Sequence, residues 1–194
     1  MRAVFLALVV LLWSGPVSAQ SPAQSLTSDD RALIDATRRN DVEAARRLIA
    51  AGASVNAQDE NRDSAFLLAG AEGRLEILKL TLQAGADLKS TNRYGGTALI
   101  PACHYGHIET VRVLLGSAID VNHVNNLGWT ALLEAVILGE GGPRHTEIVR
   151  LLIARRADVD RADAQGATPL AHAEQRGQRA IADLLRGAGA RARH

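Results

Sequence analysis

The sequence predicts an all-α protein in which about five similar helical units stack in a row. Two observations predict this class. The chain is 47% hydrophobic but only 3% aromatic and contains 17 glycines, which favours short, closely packed helices over a β-sandwich. A short motif also recurs at a fixed spacing. Units that recur in this way stack, because no single unit can bury its own apolar face.

The repeat is defined by two independent landmarks. Similar four-residue segments begin at Ser64, Thr97, Thr130 and Thr168, with spacings of 33, 33 and 38 residues. Aliphatic residues recur with the same three spacings at Ile49, Leu82, Leu115 and Ile153. Two landmarks that share one period and one five-residue insertion indicate a genuine internal repeat.

The third unit carries the most recognisable motif. It reads Asn92-Arg93-Tyr94-Gly95-Gly96-Thr97-Ala98-Leu99, followed by Gly106-His107 and Val113-Leu114-Leu115. These residues resemble the ankyrin-repeat family, whose unit is a β-turn followed by two antiparallel helices over 33 residues. The resemblance implies an ankyrin-repeat solenoid over residues 29–190, with units at about 29–58, 59–91, 92–124, 125–162 and 163–190.

Several landmarks have a direct physical interpretation. The Ser or Thr of each motif can cap the inner helix that follows it. Glycines at the ends of the inner helices predict left-handed backbone there; they are Gly73, Gly106, Gly139 and Gly177. Arg62 stands where the other turns have glycine, so this turn either costs ~1–2 kcal/mol or takes another shape. Glu140–Arg144 is predicted as an extension between the helices of unit four, either merely tolerated or part of a docking surface.

The N-terminus resembles a secretory signal peptide over residues 1–19. Arg2 is followed by an apolar stretch from Ala3 to Trp13, and Val17-Ser18-Ala19 fits a signal peptidase site. The stretch covers only about half of a ~30 Å hydrocarbon core, so we expect cleavage after Ala19 and no membrane span. The expected product is a periplasmic bacterial protein with a flexible leader at 20–28 and a short tail at 191–194.

No motif in the chain is typical of an enzyme. The sequence lacks a nucleophile elbow and a His-Glu-x-x-His motif, and its Gly-rich segment lacks the Gly-Lys-Ser/Thr of a phosphate loop. The strongest metal candidate is Cys103-His104-x-x-His107. No second ligand cluster completes a zinc tetrahedron, Cys103 falls at a small buried position, and the resemblance implies that His107 bonds neighbouring backbone. We therefore expect no catalysis, no cofactor and no metal.

The same resemblance suggests where a partner would bind. In ankyrin arrays the turn tips and the inner-helix ends line a concave surface, and these positions carry over to Arg93, Tyr94, His104, Tyr105, Asn126, Leu127, Trp129, Ile137, Leu138, Gln165 and Arg176. Three of the four aromatic residues after residue 19 map to this surface, and only Phe66 maps to the core. Tyr, Trp and Arg often dominate interfaces, although Trp129 and Tyr94 could instead stiffen the stack by packing on adjacent turns.

We therefore expect a non-catalytic module that binds a protein or peptide. The 22 Lys and Arg nearly balance the 21 Asp and Glu, so no basic excess indicates nucleic-acid binding. The alternatives are a self-associating structural protein, or a metal or redox protein that uses Cys103. The sequence leaves the oligomeric state open, and a monomer is the simpler expectation.

Overall fold

The structure, a computed structural model, describes residues 26–192. Within this range the regular secondary structure is helical, in five antiparallel pairs. The inner helices are α1 (Ser28–Arg38), α3 (Ala65–Ala71), α5 (Leu99–His104), α7 (Ala131–Ile137) and α9 (Pro169–Gln175). The outer helices are α2 (Val42–Ala50), α4 (Leu75–Gln83), α6 (Ile108–Leu115), α8 (Pro143–Ala154) and α10 (Arg179–Gly187). None of these helices combines the length and apolarity needed to cross a membrane.

The helices form two layers that run along the array. Each inner helix packs on the next inner helix, and each outer helix packs on the next outer helix. One continuous apolar cluster extends through all five pairs. Its side chains are aliphatic apart from Cys103 and Phe66, and Phe66 is buried as predicted. The predicted all-α repeat fold is confirmed.

Hydroxyl side chains cap three of the four inner helices that the motif precedes. Ser64, Thr130 and Thr168 each accept a hydrogen bond from the backbone amide three residues further on, at 3.2–3.4 Å. Each bond satisfies one of the amides that lack a partner in the first turn of a helix. The predicted capping is therefore confirmed at these three positions.

Thr97 does not cap its helix, and at this position the prediction was wrong. Helix α5 begins only at Leu99, and the buried Thr97 hydroxyl has no hydrogen-bond partner among residues 26–192. Pro101 has no amide to donate to the carbonyl of Thr97. The amide of Ile100 donates to that carbonyl at 3.2 Å instead. The amide that would serve the Thr97 hydroxyl is therefore engaged by the backbone.

The predicted left-handed glycines are confirmed in three units and wrong in one. Gly73, Gly106 and Gly177 have positive φ, but Gly139 does not. A Cβ at Gly139 would meet the carbonyl oxygen of Ala135 and the ring of His145, so this position requires glycine for space. Between the two helices of unit four, the left-handed residue is Gly141, with φ 68°.

The insertion in unit four is absorbed partly by a helix, which corrects its prediction as an extension between the two helices. Helix α8 begins at Pro143 and has 12 residues, whereas the other outer helices have 8 or 9. Pro143 and Arg144 belong to its first turn. Proline suits this position because the first helical amide needs no partner within the helix.

At both ends of the array, residues that were predicted to belong to the leader and the tail take part in the fold. Thr27 caps α1 in a reciprocal pair of hydrogen bonds with Asp30, so the last two residues of the predicted leader belong to the helix and its cap. The signal peptide, residues 20–25 of the leader and the last two tail residues lie outside the described residues. The first tail residue, Arg191, donates its amide to Asp160 Oδ1 at 2.7 Å.

Arg62 provides a test of backbone strain in the turns. Its φ is 61°, in the left-handed region, at the turn position where Gly95, Gly128 and Gly166 also have positive φ. We expect Arg62→Gly to raise the free energy of unfolding by about 0.5–1 kcal/mol, because relief of the left-handed cost exceeds the added entropy of the unfolded chain. Urea unfolding measures the change.

Arg155→Gly is the matched control for this substitution. Arg155 is likewise an arginine outside the helices, at the end of α8, but its φ is −95°, so glycine relieves no strain there. We expect no gain in stability from this control. An Arg62→Gly variant that is less stable than the parent would contradict the expected relief of strain.

Candidate functional site: the concave groove

An Asp or Asn at the first position of each turn holds the turn tip in place. These anchors are Asp59, Asn92, Asn125 and Asp163. In each, one side-chain oxygen accepts hydrogen bonds from the backbone amides two and four residues further on, at 2.9–3.0 Å. These anchors were not predicted from the sequence, although they recur with the same 33, 33 and 38 spacing as the motif. They fix the tips relative to the inner helices.

The turn tips and the inner helices α3, α5 and α7 border a groove of about 720 Å³. Leu68, Ile100 and Pro101 contribute apolar surface from the helices. Four large apolar side chains that are 42–57% exposed also line it; they are Tyr94, Tyr105, Leu127 and Leu138. A smaller hollow of about 510 Å³ lies between α5 and the insertion and shares His104, Tyr105 and Leu138 with the groove. This arrangement offers a preformed apolar surface.

The structure brings six of the predicted site residues together in this groove. They are Arg93, Tyr94, His104, Tyr105, Leu127 and Leu138. Trp129 is half-buried and does not line the groove. Three other predicted site residues are exposed but also lie outside the groove; they are Asn126, Gln165 and Arg176.

Ile137 was predicted to lie on the exposed surface, and the structure corrects this. Its side chain is only 7% exposed. Ile137 is the last residue of α7 and lies four positions after the buried Leu133, so the two share one face of the helix. The exposed residue at this helix end is Leu138.

Asn126 connects two neighbouring turn tips. Its backbone amide donates to the carbonyl of Tyr94 at 2.9 Å. Its side chain lies so close to Gly95 that a Cβ there would collide with it, and Gly95 also has a φ of 73°. Asn126 and Gly95 therefore set the spacing between the tips of units three and four.

Glu134 is a buried carboxylate in the groove that was not predicted from the sequence. It is 7% exposed, and its Oε1 accepts a hydrogen bond from Asn125 Nδ2 at 3.0 Å. Because Asn125 Oδ1 already accepts two backbone amides, its amide nitrogen must face Glu134. Burial raises the pKa of Glu134, and the hydrogen bond from Asn125 opposes part of that rise.

His104 is the neighbour of Glu134 across the groove. Its Nδ1 lies 3.7 Å from Glu134 Oε2, which is longer than a hydrogen bond. Its ring stacks on Tyr105 with a centroid distance of 4.3 Å. Desolvation, assisted by the nearby His145, lowers the pKa of His104, which favours a neutral imidazole.

The other histidines near the groove bond to backbone. His145 is buried and its Nε2 donates to the carbonyl of His104 at 2.8 Å. His107 bonds the backbone of Ala71, which confirms the expected backbone contact, and desolvation lowers the pKa of its ring. The Cys103 thiol is completely buried, and this burial raises its pKa. Across residues 26–192, no three His, Cys, Asp or Glu side chains come together in a group that could hold a metal ion.

The burial of Glu134 predicts that the stability difference between the parent and the Glu134→Gln variant depends on pH. Because the pKa of Glu134 is raised in the folded protein, ionising this carboxylate destabilises the fold. The protein therefore keeps its full stability below the ordinary pKa of 4.5 and loses part of it as the pH rises through the folded-state pKa. Glu134→Gln keeps an acceptor for Asn125 but cannot ionise. We expect its melting temperature to match the parent near pH 4 and to exceed it progressively at higher pH.

Thermal unfolding between pH 4 and 8 measures this difference. Glu109→Gln is the charge-matched control, because Glu109 is exposed on the outer helix α6. Its difference from the parent should vary little with pH. A Glu134→Gln difference that is also flat would show that the carboxylate is not destabilised by burial.

Comparisons with known proteins agree with this architecture. The family described as ankyrin repeats (3 copies) matches residues 33–125, 65–144 and 119–193. The crystal structure of an ankyrin repeat domain from Acinetobacter baumannii AYE is 53% identical, with 90% of this chain and 89% of that chain covered and a TM-score of 0.82. Another ankyrin repeat protein of known structure is 44% identical, with coverages of 79% and 78% and a TM-score of 0.77. A search of curated proteins gave no match. The chain belongs to the ankyrin-repeat family.

Proposed function

We propose that this chain is a non-catalytic interaction module of the bacterial cell envelope that binds a protein or peptide in the concave groove. Ankyrin repeats are generally protein–protein interaction modules. The redox alternative through Cys103 gains no support, because that thiol is completely buried and reactive cysteines are accessible to their partners.

The observation that carries the proposal is where the exposed apolar side chains lie. Among the residues that the structure describes, the large hydrophobic side chains with high exposure are Tyr94, Tyr105, Leu127 and Leu138. All four line the same groove. Single exposed apolar residues are ordinary, but a contiguous apolar patch typically marks a binding surface. Tyrosine is also among the residue types that contribute most to binding energy.

The groove is also suited to binding because its walls are held in place. Helix α5 packs on both α3 and α7, and the tips are fixed by the anchors Asn92 and Asn125. A preformed surface loses little conformational entropy when a partner binds. The proposed mechanism is therefore rigid presentation of an apolar surface rather than folding on binding.

The proposed compartment rests on the sequence alone. The charged start, the apolar stretch and the Val17-Ser18-Ala19 site are typical of a cleaved export signal. A periplasmic location would place the mature chain, beginning at Gln20, beside other envelope proteins. Those proteins are the source from which we expect the partner to come.

A groove variant tests the proposal. We expect Tyr94→Ala, Tyr105→Ala and Leu127→Ala together to weaken partner binding at least about tenfold, because each removes an apolar contact at the centre of the surface. Binding is measured by crosslinked affinity capture from a periplasmic fraction with quantitative mass spectrometry. Recovery from that fraction of a native chain beginning at Gln20 tests the compartment.

An outer-face variant is the control for this experiment. Lys79, Arg112 and Arg150 are exposed on α4, α6 and α8, and their replacement by alanine should leave capture unchanged. Equal capture by the parent and the groove variant, both folded by circular dichroism, would reject the groove. Sedimentation at several concentrations identifies self-association, which would appear as a dimer lost only in the groove variant.

A further inference from the structure

Three carboxylates line the concave groove, and two of them have a cationic neighbour. Glu72 forms an ion pair with Arg74 at 3.0 Å. Asp63 lies 3.7 Å from Arg38 and is also attracted by Arg93. Each of these two carboxylates therefore has an arginine of the chain within 4 Å, although burial and the neighbouring Asp59 still raise the pKa of Asp63.

Glu134 is different, because within residues 26–192 no lysine or arginine lies within ion-pair distance of it. Its side chain is only 9% exposed. Oε1 is held by Asn125, whereas Oε2 has only the imidazole of His104 nearby, at 3.7 Å. The groove thus contains a largely buried carboxylate whose Oε2 accepts no hydrogen bond from residues 26–192 and remains partly accessible to solvent.

Arg93 is the cation that could compete for this place, and its contacts hold it elsewhere. Its guanidinium carbon lies 4.8 Å from the centre of the Tyr94 ring, which is the geometry of a cation–π contact. Asp63 and Asp59 attract the same guanidinium. Arg93 therefore lies with the turn tips in this structure and does not occupy the place beside Oε2.

The surroundings of Glu134 favour a cation with apolar neighbours. Tyr105, Leu127 and Leu138 line the groove together with Glu134. Burial without a counter-charge disfavours the ionised carboxylate, and a cation beside Oε2 would compensate for the water that burial removes. Charge-assisted hydrogen bonds in such partly dry sites are stronger than those between neutral groups.

We propose that the groove binds a segment of a partner protein in which one arginine or lysine is flanked by apolar side chains, with the cationic group beside Glu134 Oε2. The inference rests on the proposed function, because it names the chemistry of the partner at the same groove. The apolar side chains of the segment contact Tyr105, Leu127 and Leu138. The cation supplies the selectivity.

Selection from a random dodecapeptide library displayed on phage tests this inference. The bait is the mature chain at pH 7, and the enriched peptides are synthesised and measured by fluorescence polarisation. We expect most of them to contain an arginine or lysine between apolar residues. Glu134→Gln should weaken their binding at least about tenfold, whereas Glu109→Gln should leave it unchanged. Replacing the peptide arginine by citrulline, which is similar in shape but neutral, should cause a similar loss.

The outcomes separate this inference from the proposed function. One outcome would overturn the inference and leave the groove as a binding site. In that outcome the peptides fail to bind the Tyr94/Tyr105/Leu127 alanine variant, but they lack a cation and bind Glu134→Gln as tightly as the parent. A selection in which no peptide depends on the groove residues would overturn both. Glu134→Gln keeps the hydrogen bond from Asn125, and its melting curve verifies that it folds.

Discussion

The structure depends on the stacking of each helical pair on the next, because no pair encloses a core of its own. Polar contacts between units reinforce this stacking at a repeated position. The start of an outer helix reaches back to a backbone carbonyl of the preceding unit. Arg74 donates to the carbonyl of Arg38 at 3.2 Å, and His145 donates to that of His104 at 2.8 Å. These contacts join neighbouring units and therefore add to the apolar packing that holds each unit against the next.

The turn anchors determine the chemistry of the groove as well as its shape. Each anchor uses one oxygen for the backbone, which leaves its second polar atom available for another contact. In unit five the second oxygen of Asp163 lies 2.7 Å from His172 Nε2. In unit four the anchor is Asn125, whose second group is a donor and therefore requires an acceptor. Glu134 satisfies that requirement, and this places a carboxylate beside the apolar side chains of Tyr105, Leu127 and Leu138.

Much of the fold could be predicted from the sequence, because it follows from a period that two landmarks share. The helix pairs, the buried Phe66 and the strained Arg62 all derive from position within the repeat. The repeat period does not predict which side chains of neighbouring units come into contact. Thr97 fails to cap because of a proline four residues away, and Gly139 is required by a ring from the next helix. The insertion lengthens α8 because Pro143 is favourable in its first turn.

The candidate site was predicted in part for the same reason. The family pattern indicates which residues lie near the concave face, and six of them line the groove. It does not indicate which neighbour covers each side chain, so it predicts neither the burial of Ile137 nor that of Glu134. The equivalent residues, nine positions after the anchors of units two and three, are Leu68 and Pro101. A carboxylate where those units have an apolar residue is the sequence signal for such a site.

Site-specific photo-crosslinking in the proposed compartment, the periplasm, is the most direct test of whether a partner binds in the groove. A photoreactive phenylalanine analogue would replace Leu127 in the groove in one variant and Lys79 on the outer face in a second, matched variant. Both positions are exposed. We expect a crosslink to another polypeptide from position 127 and none from position 79. A crosslink from position 79 alone would contradict it.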